Sequence, residues 1–181
     1  TTVVALYLIC EKARELGIKV LLCGDGSDEL YAGYERYIEI AEKYNITKKD
    51  DIIVLARNTI SIPKIKKFYP GKEEVSHYRY DIVKQYSDRS VLMRELLLDQ
   101  MTFLQSYLHR QDKIGMAASI EVRPPYLDHN FVNFSNGLPD GLKIRGNVQK
   151  YLIKKLAEKV MPEENITRQK QPFNAPIGKS L

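Results

Sequence analysis

The β-favouring run Ile18-Lys19-Val20-Leu21-Leu22-Cys23 ends abruptly in Gly24-Asp25-Gly26-Ser27, and this junction narrows the fold more than any other part of the chain. Ahead of it, Leu6, Ile9, Cys10, Ala13 and Leu16 recur at three- and four-residue steps, which predicts a helix over about Val3 to Leu16 that Gly17 stops. Behind it, a helix is expected from Asp28 to about Tyr44, with Ser27 as N-cap and Asp28 and Glu29 favourable in its first turn. Helix, buried strand, loop and helix form an α/β unit. A buried parallel strand needs neighbours on both edges to satisfy its backbone groups.

No second strand is evident downstream. Met93, Leu97, Met101, Leu104 and Leu108 fall on one stripe and predict a long helix from about Val91 to Asp112. Leu152, Leu156 and Val160 predict another from about Val148 to Val160, closed by Pro162. From Lys48 to Pro70 the signal weakens: Asp50 or Asp51 caps a short helix through Ile52, Ile53, Leu55 and Ala56, and Pro63, Pro70 and Gly71 punctuate the stretch beyond it. The expected fold class is therefore α/β, predominantly helical, with at least one parallel strand. No repeat or linker divides residues 1–181, which read as a single domain. Because the strand lacks partners, Thr1 is not expected to be the natural start, and further strands are expected upstream.

A chain of 181 residues can bury roughly 70% of its unfolded surface. With 44% hydrophobic and 28% charged residues it has the composition of a globular protein, not a disordered one. No run approaches the ~20 apolar residues of a membrane span, and the N-terminus lacks the basic lead of a targeting segment. Cys10 and Cys23 are too few for a disulfide framework, so a reducing cytoplasm is the expected location. The net charge of +5 comes from scattered groups such as Lys48-Lys49, Lys64 to Lys67 and Lys154-Lys155. These read as a solvated basic face, and no nucleic-acid partner is expected.

Three segments carry candidate chemistry. In Cys23-Gly24-Asp25-Gly26-Ser27-Asp28-Glu29, the glycines let backbone N–H groups approach an anion at a helix start, where open α/β sheets place ligands. Asp25, Asp28 and Glu29 could converge to hold Mg²⁺, or Asp25, Ser27 and Asp28 could be capping and turn residues only. The second segment, His109 to Asp128, comes after the long helix and sets Asp112, Glu121, Arg123 and Asp128 in a semi-buried place that requires pairing, Arg123 with Glu121 or Asp128. The third is Thr167-Arg168-Gln169-Lys170-Gln171-Pro172-Phe173, where Lys170 could reach a phosphate as a mobile charge. His77, His109 and His129 stand too far apart for a zinc site.

In this order the segments resemble the synthetase domain of the glutamine-hydrolysing asparagine synthase family. VLLCGDGSDELYAGY is similar to that family's LSGxGxDExxxGY signature, and DKIGMAASIEVRPPYLD to its D-R/K-x-x-M-A-x-x-x-E-x-R-x-P-F/Y-L-D segment. RQKQPF resembles its late R-x-K-x-x-F element, with Leu138-Pro139 and the Lys150 helix between them. The resemblance implies part of an adenine-nucleotide α-hydrolase-like fold of the N-type ATP pyrophosphatases. It also implies a reaction in which ATP and Mg²⁺ adenylate the side-chain carboxylate of aspartate, and ammonia from glutamine then gives asparagine, AMP and pyrophosphate.

By the same resemblance, Cys23, Gly24, Gly26 and Ser27 line the nucleotide site, Cys23 standing where serine is usual. Asp25 takes an acidic position, often glutamate, tied to the acyl-adenylate; Asp28 is the Mg²⁺ ligand; and Lys170 stabilises the leaving pyrophosphate. Glu121 falls with the catalytic residues and Arg123 with the cofactor-binding ones, in a motif supporting the acceptor side. The family's SGGxDS loop, N-terminal catalytic cysteine and glutaminase domain are not in this sequence. The expectation is the C-terminal part of a synthetase domain, inactive in isolation, from a parent chain carrying the glutaminase domain, with a homodimer as its candidate assembly. A related amidotransferase acting on another carboxylate, or a degenerate nucleotide-binding module, are the alternatives.

Overall fold

The computed structural model describes residues 2–47, 53 and 74–168. The short helix expected after Asp50 lies outside them apart from Ile53, which is helical and buried. Helix α1 (Thr2–Glu15) forms over the expected stretch and Gly17 ends it in the left-handed region at φ 75°, but of its expected apolar face Ile9 is 52% exposed and Leu16, past the helix end, is 66% exposed. Its buried Cys10 and Ala13 pack on Ala118 and Ile120, with Leu6, Tyr7, Leu21 and Val122 around them.

Strand β1 (Val20–Leu22) runs parallel to β2 (Glu121–Arg123), pairing Val20 with Glu121 and Leu22 with Arg123. The second strand adds to what the sequence predicts, and β1 is not buried as expected. Val20 and Leu22 are 39% and 73% exposed, because helices cover only the Leu21 and Val122 face of the pair. The architecture is α/β and mostly helical, with a small parallel sheet.

The helix expected over Asp28 to Tyr44 is two, α2 (Ser27–Tyr31) and α3 (Arg36–Thr47). Ala32 enters the left-handed region at φ 55° and breaks the run. Gly33 comes next, where a Cβ would collide with the Asp28 carboxylate and the Lys150 side chain. Ser27 is the first helical residue rather than the N-cap; Gly26 takes that place at φ 87°, where any Cβ would strike the Leu127 side chain.

Helix α4 (Glu74–Gln85) leads to α5 (Val91–Met101), whose N-cap Ser90 accepts from the Met93 N–H at 3.1 Å. The helix expected over Val91 to Asp112 breaks at Thr102, whose hydroxyl donates to the Leu98 carbonyl at 2.6 Å and competes with the backbone ladder. It resumes as α6 (Phe103–Ala117), so the first part of the His109–Asp128 segment is helical. The expected apolar stripe does not hold either: α5 packs against α2, α3, α4 and α6, burying Arg94, Glu95 and Asp99 with its leucines while Met101 is exposed.

Those charges are tolerated because they are paired. Arg36 forms ion pairs with Asp99 and, at 3.7 Å, with Glu95; Tyr37 donates to Asp99 at 2.7 Å; and Arg94 donates to the Val83 carbonyl at 3.2 Å. Around them lie two apolar clusters, one of Ile40, Ile53, Ile82, Val83 and Leu98, the other of Ala32, Tyr37, Leu92 and Leu96.

After β2, a 3-10 turn (Pro125–Leu127) leads into α7 (His129–Gly137), capped by Asp128, which accepts from the Asn130 and Phe131 N–H groups. Helix α8 (Asp140–Lys143) comes next, then an antiparallel hairpin of β3 (Ile144–Arg145) and β4 (Val148–Gln149). The hairpin takes the residues expected to open the next helix, so α9 spans Tyr151–Ala157 only. Its expected apolar face is not packed, with Leu156 52% and Val160 81% exposed. Pro162 caps the start of α10 (Glu163–Thr167) instead of closing α9. Among the described residues no helix is long and apolar enough to cross a membrane.

Candidate functional site

The loop at the carboxyl end of β1 is built from both ends of the chain. The Cys23 N–H donates to the Arg123 carbonyl at 3.0 Å and extends the parallel ladder by one residue. Gly24 then turns outward into open space, and α2 starts at Ser27. Ser27 is buried, and Lys150 Nζ donates to its hydroxyl at 2.8 Å while lying 2.7 Å from Asp28 Oδ1. The backbone holds Lys150 there: its own φ is 51°, and its N–H donates to the Tyr31 carbonyl at 3.1 Å.

On the other side of the loop stands Gln111, buried on α6. Its Nε2 donates to Asp25 Oδ2 at 2.5 Å and reaches Cys23 Sγ at 3.2 Å. Burial pushes the Cys23 thiol up, and the neighbouring Asp25 adds to the rise. One helical turn before Gln111, the Tyr107 phenol is pushed up to about 12, first by burial and then by the charges of Asp25 and Cys23.

Glu29 is buried and accepts from the Tyr34 hydroxyl at 2.8 Å; burial, the largest cause, raises its carboxyl above the ordinary range. Asp25, Asp28 and Glu29 therefore do not converge, because each is drawn to a different partner on a different element. Among the described residues no group of three or more His, Cys, Asp or Glu is placed to hold a metal ion. The Asp28 carboxylate beside the exposed Gly24 backbone does fit Mg²⁺ bound with phosphate, since that ion takes one or two protein carboxylates and completes its shell with phosphate oxygens and water.

Glu121 and Arg123 pair with each other at 2.7 Å, which lowers the Glu121 carboxyl and raises the guanidinium. The pair is exposed, not semi-buried, because it projects from the sheet face opposite Val122. Asp128 caps α7 instead of meeting Arg123. Lys170 lies outside the described residues.

The Asparagine synthase family model matches residues 1–181. The chain belongs to the asparagine synthase family. It is 28% identical to asparagine synthetase (glutamine-hydrolyzing) 1 of Bacillus subtilis over 96% of this chain and 33% of that protein. It is 25% identical to asparagine synthetase (glutamine-hydrolyzing) 3 of the same organism, over 93% of this chain and 28% of that protein. For asparagine synthetase (glutamine-hydrolyzing) 1 of Saccharomyces cerevisiae, the identity is 22% over 97% of this chain and 25% of that protein. The chain thus spans a third or less of the length of these curated relatives. No solved structure matches it significantly.

In this asparagine synthase-family chain Cys23, Gly24, Asp25 and Gly26 form the loop after β1, and Ser27 and Asp28 open α2. The structure adds Lys150, Gln111 and Tyr107. Lys150, singled out in the sequence only through the helix that the resemblance places between the motifs, meets Ser27 across 123 positions. Tyr107 and Gln111 could have been noticed as polar residues four apart on the helix that also carries Leu104 and Leu108.

Behind α2 lies a second lysine. Lys143 is fully buried and donates to the Leu30 carbonyl at 2.8 Å and the Ser135 carbonyl at 2.6 Å, with the Tyr31 ring centroid 5.6 Å away. A neutral amine has two hydrogens for those two carbonyls, whereas the third proton of the ammonium meets mainly a ring face. Burial accordingly lowers Lys143 from 10.5 to about 8, with Asp140 opposing the shift. Between those values the unfolded chain binds the extra proton and the folded chain does not, so the Lys143 contribution to stability rises as pH climbs from about 8 to 10.5. Urea unfolding of the protein and its Lys143→Met variant at pH 8, 9 and 10 should show a gap widening in favour of the lysine by up to about 3 kcal/mol. A gap independent of pH would contradict it.

Proposed function

We propose that this chain is the C-terminal part of the synthetase domain of an asparagine-forming ligase with an N-type ATP pyrophosphatase fold. The substrates are aspartate, ATP with Mg²⁺, and ammonia released from glutamine by a glutaminase domain in the same protein. A cytoplasmic location and a homodimer belong to the same reading. The observation that carries it is the clasp at the carboxyl end of β1: Lys150 on Ser27 and Asp28, beside a glycine backbone open to an approaching anion.

The open backbone at Gly24 and the tight turn at Gly26 suit close approach by phosphate. Asp28 would hold the ion, and Lys150 keeps that carboxylate aimed; Lys170 would add a cation for the leaving pyrophosphate. Bound Mg²⁺ would neutralise charge developing on the phosphates. Gln111 fixes Asp25 and Cys23 in one orientation, so the loop presents its backbone without side-chain rearrangement. Glu121 and Arg123 support the acceptor side from β2.

The test is ATP–pyrophosphate exchange by the full-length protein containing this chain, with and without aspartate. Exchange that requires aspartate is the expected result. Exchange that ignores aspartate but responds to another carboxylate would reassign the acceptor. A protein that binds Mg·ATP but exchanges with no carboxylate would be a nucleotide-binding module, and the ligase reading would fall.

A further inference from the structure

Helix α2 ends inside the protein: Glu29, Leu30 and Tyr31 are buried, so the carbonyls of its last turn need donors from other parts of the chain. Each carbonyl has its own. The Asp28 carbonyl accepts from the Gly33 N–H at 2.9 Å, and the Glu29 carbonyl from Gln100 Nε2 at 3.0 Å. The Leu30 carbonyl accepts from Lys143 Nζ at 2.8 Å, and the Tyr31 carbonyl from the Lys150 N–H at 3.1 Å. One donor is local; the other three come from α5, from α8 and from the residue before α9.

Two of these donors share a post on α7. Gln100 and Asn136 exchange amide hydrogen bonds at 2.9 and 3.1 Å, which leaves the second Nε2 hydrogen of Gln100 for the Glu29 carbonyl. Beside Asn136, Ser135 accepts from Lys143 Nζ on its carbonyl at 2.6 Å, and its hydroxyl is hydrogen-bonded to that of Tyr31 at 2.9 Å. Neither Gln100 nor Lys143 belongs to the apolar clusters of the core. Ala32 and Lys150 hold left-handed φ values of 55° and 51° at this same end of α2, a cost that persists only where the surroundings fix it from several sides.

Asp28 stands less than one turn from these carbonyls, on a helix only five residues long. So short a helix has little stability of its own, and a tilt at its C-terminal end moves the carboxylate with it. We propose that Gln100 and Lys143 are positioning residues of the Mg²⁺–phosphate site, which fix the Asp28 carboxylate by tying the carbonyl end of α2 to α7. The proposal rests on the reading of Asp28 as the metal ligand and adds to it the residues that aim that ligand through the backbone. Lys150 differs from them in also reaching the Asp28 side chain.

ATP binding to the full-length protein, measured by calorimetry with Mg²⁺ and again with EDTA, gives the factor by which the ion strengthens binding. Lys143→Met and Gln100→Met keep side-chain length and lose the donors. Each should cut that factor about 10-fold, the low end of what groups orienting a metal ligand contribute, and leave the affinity in EDTA unchanged. Lys143→Gln, able to donate again, should recover part of the loss. On an Asp28→Asn background the same substitutions should cost nothing further, because they act through that carboxylate. Urea unfolding identifies the folded variants, and any one of them decides. A full factor in a folded Met variant, or an equal further loss on the Asp28→Asn background, would overturn the proposal and leave the metal reading standing. A factor that survives Asp28→Asn, or an unsubstituted protein that gains nothing from Mg²⁺, would overturn both.

Discussion

Replacing Asp28 with asparagine is expected to lower aspartate-dependent ATP–pyrophosphate exchange by at least about 100-fold, the scale of losing one preorganised group aimed at developing charge. The substitution keeps the size of the side chain and an oxygen able to accept from Lys150, so the clasp over Ser27 should survive and the protein should stay folded. What goes is the charge that Mg²⁺ requires of a protein ligand. Near-normal exchange by Asp28→Asn, measured beside an unchanged urea midpoint, would reduce Asp28 to a partner for Lys150. A fall in exchange accompanied by an equal fall in stability would point the same way.

The second large effect is on stability. Asp99→Ala should destabilise the protein by about 3 kcal/mol, at the low end of the range for breaking a buried ion pair. Asp99 accepts from Tyr37 and pairs with Arg36, whose guanidinium lies over the Tyr34 and Tyr37 rings at 4.4 Å. Its removal strands the Tyr37 hydroxyl, while Arg36 retains Glu95 at 3.7 Å and partial access to water, which keeps the cost from being larger. Urea unfolding measures it. Asp99→Asn keeps the volume and an acceptor for Tyr37 but not the charge, and should lose most of the same stability; a near-neutral Asp99→Asn would assign the effect to packing.

How legible each element is in the sequence depends on how local its cause is. Gly17, Gly24 and Gly26 announce the junction around β1, since each acts through its own backbone. Strand β2 escapes notice because Glu121–Arg123 is shorter than the ~4 residues that alternation needs to declare itself. The break at Thr102 carries no Gly or Pro of its own; at Ala32 the left-handed turn is closed locally, by the Gly33 N–H on the Asp28 carbonyl at 2.9 Å, with the Lys150 N–H on the Tyr31 carbonyl added from a distance. The α5 stripe misleads because a helix surrounded by other helices is buried on several sides, with charges neutralised in place. Within the site, Cys23 to Asp28 are readable as a contiguous motif. Lys150 and Gln111 enter by tertiary contact alone.

That distance governs the order in which the site can be assembled. Helix α2 is only five residues long and is clamped by Lys143 and Lys150, which reach back across 113 and 123 positions. So short a helix has little persistence of its own in water. During synthesis, α1, β1 and the Cys23–Asp28 loop leave the ribosome long before either lysine exists. The Cys23–Asp28 loop therefore waits, unclasped, until Lys150 has emerged behind the hairpin. The clasp thus forms late on the ribosome, and a polypeptide truncated before Lys143 has neither lysine with which to hold α2.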